Sequence, residues 1–294
     1  GAAKSAPINA LQVKTMLCAR LRRTRKEMII ETVSLFPKIN SELEKLLNSM
    51  SFEDWNLKTK FPNWTVKDIV AHLLDTSIRK LSTEKYNYEP SINRKIESYE
   101  DLVVYITNLA DTWVNSYQRV SPEILMKMVI TYQNELVNFL KTIDLFKNSK
   151  NSVAWAGEKE SYNWFDIARE YTERWHHQMQ IRETIKQTDV LYEKELYKPV
   201  LDTFLKALPY HYGKYSTKKD INFELTVIGS YINDKWIYNT EEGKDNIWTK
   251  VTIKDTDVWK VLTKWEKNTS NIEYNIEGNL ELGQHFFKMM CIMI

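Results

Sequence analysis

The stretch "NWTVKDIVAHLLDTSIRKL", residues 63–81, has the features of a helix with a defined start and one buried face. Thr65 is a good N-cap, and Asp68 follows at the third helical position, which is the capping-box arrangement. Val66, Val70 and Leu73 recur at helical spacing and predict a face that packs on a core. The stretch therefore predicts a core helix, with His72 at the edge of its apolar face.

Other stretches with the same period predict a helical bundle around it. Ser121 and Pro122 are suited to be the N-cap and first-turn proline of one of them. Only seven glycines and seven prolines occur in the chain, which favours long helices over many tight turns. Long helices with short connections are typical of an up-down four-helix bundle. The further helical stretches are residues 39–50, 98–120, 125–143 and 164–185.

The hydrophobic period changes in the second half of the chain. After one more helical segment at 191–208, residues 221–231, 235–240, 247–253 and 272–278 alternate in the manner of strands. Helices are also predicted at 255–265, capped by Asp255 or Thr256, and near the C-terminus. Helices followed by strands predict an all-α bundle and then a smaller α+β domain. We place the bundle at 28–188 and the second domain at 189–294.

Residues 1–27 are rich in arginine and differ from the rest. A basic amphipathic helix or a targeting-like segment would have this composition. We interpret them instead as an N-terminal extension, disordered or foreign to the natural protein.

Composition and charge restrict the classes of function. The 41 basic residues nearly balance 39 acidic ones, and a net charge of +2 gives no electrostatic case for a nucleic-acid or membrane partner. Cys18 and Cys291 lie near opposite ends, which excludes a disulfide framework and a cysteine zinc site. We therefore expect a cytoplasmic protein. A homodimer is compatible with the sequence.

The stretch "EYTERWHHQMQIRE", residues 170–183, contains the chemistry of greatest interest. Glu173 and His177 are separated by one helical turn, so both could bind one metal ion. His72 from another bundle helix could supply a third ligand and leave a position open for water or substrate. The alternative is a solvated polar stripe, because Glu173 and His177 share a helix side with Asp166 and Glu170.

Two segments resemble a known family. "FPNWTVKDIVAHLLD", residues 61–75, is similar to the signature of the maleylpyruvate isomerase N-terminal family, a branch of the DinB/YfiT-like metal-binding four-helix bundles. "REYTERWHHQMQIRE" is similar to the E-x-x-x-H pattern of its last helix. The second half resembles the sterol-carrier-protein-like domain that follows in many relatives.

The resemblance implies metal ligands at His72, Glu173 and His177. Nitrogen and carboxylate donors favour Zn²⁺. Relatives commonly have an acidic residue where this chain has Gln180, and they use an arginine in the C-terminal domain, whereas this chain has no arginine after Arg182.

The resemblance also implies a function. We expect a metal-dependent enzyme that uses a low-molecular-weight thiol, such as mycothiol in relatives, and acts as an isomerase or S-transferase on a small electrophile. The alternative is a non-catalytic small-molecule or lipid-binding protein, with a structural metal or none. His176 and Gln180 are candidates for groups that support the ligands, and His211 is a candidate for a cleft between the domains.

Overall fold

The computed structural model describes residues 29–61, 63–89, 95–215, 220–240 and 246–292. The interpretation of residues 1–27 falls outside this part of the chain. Within it, a helical region precedes a smaller mixed-sheet region, which confirms the predicted fold class.

The helical region is built from long helices joined by short segments. The capping box predicted from the sequence forms as expected: Thr65 accepts a hydrogen bond from the backbone N–H of Asp68, and the Asp68 side chain accepts one from the backbone N–H of Thr65. Ser121 caps a second long helix, with Pro122 in its first turn. The α-helices before the sheet are α1 (Phe36–Ser49), α2 (Phe52–Trp55), α3 (Val66–Lys80), α4 (Tyr99–Tyr117), α5 (Pro122–Leu140), α6 (Asn163–Ile185), α7 (Asp189–Tyr192), α8 (Lys194–Phe204) and α9 (Leu208–Tyr215).

Helices α1, α3, α5 and α6 form the bundle, and α4 packs against α3. Leu43, Ile69, Val129 and Ile181, one from each of the four bundle helices, belong to the same buried apolar cluster. Burial of such side chains away from water stabilises the fold by about 1.5–3 kcal/mol each. α3 continues into a π-helical turn at Leu81–Lys85.

The second region contains a four-stranded mixed sheet in the order β2-β1-β3-β4. Its strands are β1 (Asp220–Ile228), β2 (Asp234–Asn239), β3 (Asn246–Lys254) and β4 (Tyr274–Gly278). β1 pairs with β3 in parallel, and the outer pairs are antiparallel. Helices α10 (Asp255–Leu262) and α11 (Leu280–Phe286) pack on this sheet.

The capping predicted for α10 is wrong. Lys254 is the N-cap of the helix, and no side chain makes a capping hydrogen bond there. The Asp255 carboxylate instead accepts hydrogen bonds from the backbone N–H groups of Tyr231 and Ile232, at 2.8 and 3.0 Å. The Asp255 carboxylate therefore bonds to the loop after β1 rather than to the first turn of its own helix, and this contact connects α10 to that loop.

The two regions share a continuous apolar core in which α6 is central. Trp175 of α6 stacks on Tyr197 of α8, with ring centroids 4.8 Å apart, and its indole N–H donates to the carbonyl of Leu191 at 3.0 Å. Tyr171 donates to the carbonyl of Leu196 at 2.9 Å. α6 is therefore covered by the bundle on one side and by α8 on the other. Among the described residues, no helix combines the length and apolarity needed to cross a bilayer.

Candidate metal centre and adjoining cleft

Glu173 and His177 of α6 face each other one turn apart, with His177 Nε2 3.5 Å from Glu173 Oε2. The other ring nitrogen, Nδ1, lies 2.8 Å from Gln180 Oε1. An amide oxygen can only accept a hydrogen bond, so Nδ1 carries the proton and Nε2 directs a lone pair toward the carboxylate. Two electron-rich groups so close favour a cation between them.

α3 brings His72 to the same place. The rings of His72 and His177 meet edge to face, with centroids 4.7 Å apart. His72 Nδ1 is buried without a hydrogen-bond partner in the described part of the chain. This proximity joins residues that are far apart in the sequence, as the resemblance implies.

His176 also belongs to the cluster. Ligand atoms of Glu173, His176 and His177 all lie within 4.8 Å of one another. The Nδ1 of His176 lies 2.9 Å from the carbonyl of Thr172 and donates to it, whereas its buried Nε2 has no partner among the described residues. A histidine held through one nitrogen, with the other available, has the usual arrangement of a metal ligand.

Two hydrogen bonds fix α3 on either side of His72. The indole N–H of Trp113 donates to the carbonyl of Ala71 at 2.9 Å, from α4. Arg174 donates to the carbonyl of Leu73 at 3.1 Å, from α6. Arg174 is buried and directly follows Glu173, so this bond sets the position of α3 relative to the carboxylate.

The alternative of a solvated polar stripe is wrong. His177 is 3% exposed, Gln180 1%, Asp166 1% and Glu170 3%, and only Glu173 is half-buried, because α6 lies between the bundle and α8. The charged groups are instead paired internally. Lys80 contacts Asp166 at 2.6 Å, and Arg174 contacts Glu170 at 3.0 Å.

Burial and charge favour the neutral forms of His72 and His176 and the ionised form of Glu173. Burial lowers the pKa of His72 well below its ordinary value, and His177 and Arg79 lower it further. Burial and His177 lower the pKa of His176 to about 3. Burial by itself would raise the pKa of Glu173, but the neighbouring His177 and His176 rings and the Arg169 guanidinium hold it well below its usual range.

These residues fit a divalent metal ion. Neutral imidazole nitrogens with available lone pairs and one ionised carboxylate form the donor set of mononuclear zinc sites. The buried unpartnered nitrogens of His72 and His176 are a cost to the fold that a bound cation would remove. Gln180 would act as the hydrogen-bonding support that orients a ligating histidine.

A cleft adjoins the cluster, and His72 and His177 are among the residues that line it. Phe61 and Trp64, from the segment before α3, also line it. The rest of the lining is Ile106, Thr107, Ala110 and Asp111 of α4. The cavity volume of the cleft is about 40 Å³, which is well below the usual range of ligand pockets.

The contribution of α4 was not predicted from the sequence. Thr107 and Asp111 are separated by one turn on a helix with many polar residues, so the pattern by itself does not distinguish them from other exposed groups. His211 lies in α9, where its ring contacts Tyr210 at 5.5 Å and its carbonyl accepts a hydrogen bond from His285 Nε2 at 3.0 Å. The described residues that line the cleft beside His72 do not include it.

Fold and site together define a helical-bundle protein with a buried imidazole–carboxylate cluster, extended by a mixed-sheet region. Residues 36–81, which comprise α1 to α3 and include His72, match the family described as the mycothiol maleylpyruvate isomerase N-terminal domain. The family resemblance predicted from "NWTVKDIVAHLL" is thereby confirmed. The likeness of the second region to a sterol-carrier-like domain stays a prediction.

Two solved structures are similar to most of the chain. A crystal structure of the mycothiol-dependent maleylpyruvate isomerase has a TM-score of 0.53 and 10% sequence identity, and covers 83% of this chain and 91% of that chain. A histidine-to-alanine mutant of that isomerase has a TM-score of 0.52 and 9% identity over the same shares. Likeness at this identity shows a common fold. A search of curated proteins gave no match.

Proposed function

We propose that the protein is a metal-dependent enzyme that uses a low-molecular-weight thiol, either to isomerise a small electrophile or to transfer the thiol's sulfur to it. The observation that supports it is the proximity of Glu173, His177 and His72, two of which, His72 and His177, line a cleft. The family match over α1 to α3 supports thiol-dependent isomerase chemistry.

His72, Glu173 and His177 would hold the metal, which we expect to be Zn²⁺, and His176 is available as a further donor. A divalent cation in this position lowers the pKa of a thiol and so provides a nucleophilic thiolate at neutral pH. The reaction would be reversible addition to an activated double bond, or displacement of a leaving group.

The chain's own residues prepare the site for this chemistry. Gln180 fixes the ring of His177 through Nδ1, and Arg174 and Trp113 hold α3 so that His72 stays in the lining of the cleft. Phe61 and Trp64, whose tilted rings have centroids 4.7 Å apart, give the cleft an apolar part. Side chains that hydrogen bonds already hold in place lose little conformational entropy when substrate binds.

Metal content tests the proposal. We expect near-stoichiometric zinc by plasma mass spectrometry in the wild type, and loss of the metal in Glu173→Ala and His177→Ala. His285→Ala, which removes a histidine of the second region, is the matched control and should keep its metal. His72→Ala compared with His176→Ala then identifies the third ligand. Circular dichroism verifies that each variant folds.

Wild-type protein that is folded but takes up no metal after incubation with zinc would overturn the proposal. Zinc-loaded protein should bind small thiols and accelerate a thiol-dependent cis/trans isomerisation. Metal that is present but inaccessible to every thiol would favour a structural role.

A further inference from the structure

The charge of the cleft is a feature that neither the family match nor the metal cluster explains. Among the described residues that line it, Asp111 is the only one with a full charge apart from the candidate ligands, and none is a lysine or arginine. Asp111 is exposed and lies on α4, and it lines the cleft together with Phe61, Trp64 and His72. A molecule in the cleft is therefore close to a negative charge.

Basic side chains near the cleft are already paired with acidic ones. Arg79, two turns after His72 on α3, donates to Asp75 at 3.0 Å. Lys60, which precedes Phe61, contacts Glu266 at 3.4 Å. Carboxylate ligands are usually held by arginine, often with two parallel hydrogen bonds, and no described residue lining the cleft offers that geometry.

The aromatic residues of the lining favour cations for a second reason. Phe61 and Trp64 both line the cleft, and the centroids of the Trp64 and His72 rings are 5.2 Å apart. Aromatic faces attract ammonium groups by about 0.5–1 kcal/mol at exposed sites. Aromatic residues together with a carboxylate in one lining are a common arrangement for recognition of a cationic group.

From this arrangement we infer that the small molecule entering the cleft presents an ammonium or other cationic group toward Asp111, rather than a carboxylate. The inference rests on the proposed function and specifies the chemical class of its thiol or substrate. The sequence is consistent with this inference, because the chain has no arginine after Arg182 and so no arginine of the second region could bind a carboxylate in the cleft.

Three small thiols of similar size provide the test: cysteamine, 2-mercaptoethanol and thioglycolate, which are cationic, neutral and anionic. Each is titrated by calorimetry into zinc-loaded wild type, Asp111→Asn and Asp111→Lys. Each thiol is compared with itself across the variants, so its intrinsic acidity and its chelation of zinc cancel. Glu100→Gln, which removes an exposed charge from the first turn of α4, is the matched control.

In Asp111→Asn we expect cysteamine to bind about fivefold more weakly, thioglycolate to bind more tightly, and 2-mercaptoethanol to be unchanged, as for one partly exposed charge pair. Asp111→Lys should enlarge both changes, and Glu100→Gln should produce neither. Parallel shifts of all three thiols, or no shift, would overturn the inference and leave the proposed function standing. Failure of zinc-loaded wild type to bind any of the three would overturn both.

Discussion

Replacing Gln180 by leucine tests how the candidate metal centre is held. The Gln180 amide oxygen, 2.8 Å from His177 Nδ1, is the acceptor that keeps the lone pair of Nε2 directed toward Glu173. Leucine has similar volume but no acceptor, so the ring loses its orientation and its tautomer is no longer fixed. Loss of such a supporting hydrogen bond costs about 10- to 100-fold in metal affinity, or about 1.4–2.7 kcal/mol.

The metal-free protein should also be affected. His177 is buried, so an Nδ1–H without an acceptor costs about 1–3 kcal/mol of folding free energy. The bond from the Thr184 hydroxyl to the backbone carbonyl of Gln180 does not depend on the side chain and should persist. Gln180→Glu provides the opposite change. A carboxylate is a stronger acceptor for the His177 Nδ1–H group, so the zinc affinity should rise. The metal-free protein should lose stability, because the new charge is buried.

Competition with a chromophoric chelator measures the zinc affinity, and urea unfolding of the metal-free form measures the stability. Gln187→Leu is the control, because Gln187 is exposed and its backbone bond to Arg182 does not involve the side chain. If Gln180→Leu keeps its zinc affinity to within about twofold, the assigned role of Gln180 is refuted. Equal losses in Gln180→Leu and Gln187→Leu would refute it as well.

Three further predictions concern the buried charges of the bundle. Arg174→Met, which removes the bond to the Leu73 carbonyl, should weaken zinc binding, and chelator competition will detect this as a faster release of metal. Asp166→Asn should lower the free energy of unfolding by about 1.5–3 kcal/mol in urea, because the buried Lys80 ammonium loses one of its two carboxylate partners and keeps only Glu84, at 2.8 Å. Glu277→Gln at a half-exposed pair should cost less than about 1 kcal/mol. Burial would raise the pKa of Asp166, but Lys80 and Arg169 hold it well below its ordinary range. Ionisation of Asp166 therefore stabilises the fold above about pH 4, and this stabilisation is lost as the pH falls further. Between about pH 4 and pH 2, the urea midpoint of unfolding should fall less steeply in Asp166→Asn than in wild type.

Local features of the fold were determined by the sequence itself. The Thr65–Asp68 capping box, the Ser121–Pro122 start of α5 and the alternating strands follow from interactions between residues a few positions apart, and they form as predicted. The same is true of the Glu173–His177 pair, since one helical turn places both side chains on the same side of α6.

Only the tertiary structure decided the properties that make this pair a candidate site. The periodicity of α6 was compatible with a solvated stripe, because polar residues recur at the same helical spacing whether that side of the helix contacts water or another helix. The packing of α3 on α6 buries that stripe, through contacts such as Lys80 with Asp166, and it also brings His72 to His177. The negative charge at the cleft comes from Asp111 on α4, which no spacing in the sequence relates to His72. Contacts between residues distant in the chain depend on how helices pack, and that depends on the whole core rather than on any one stretch.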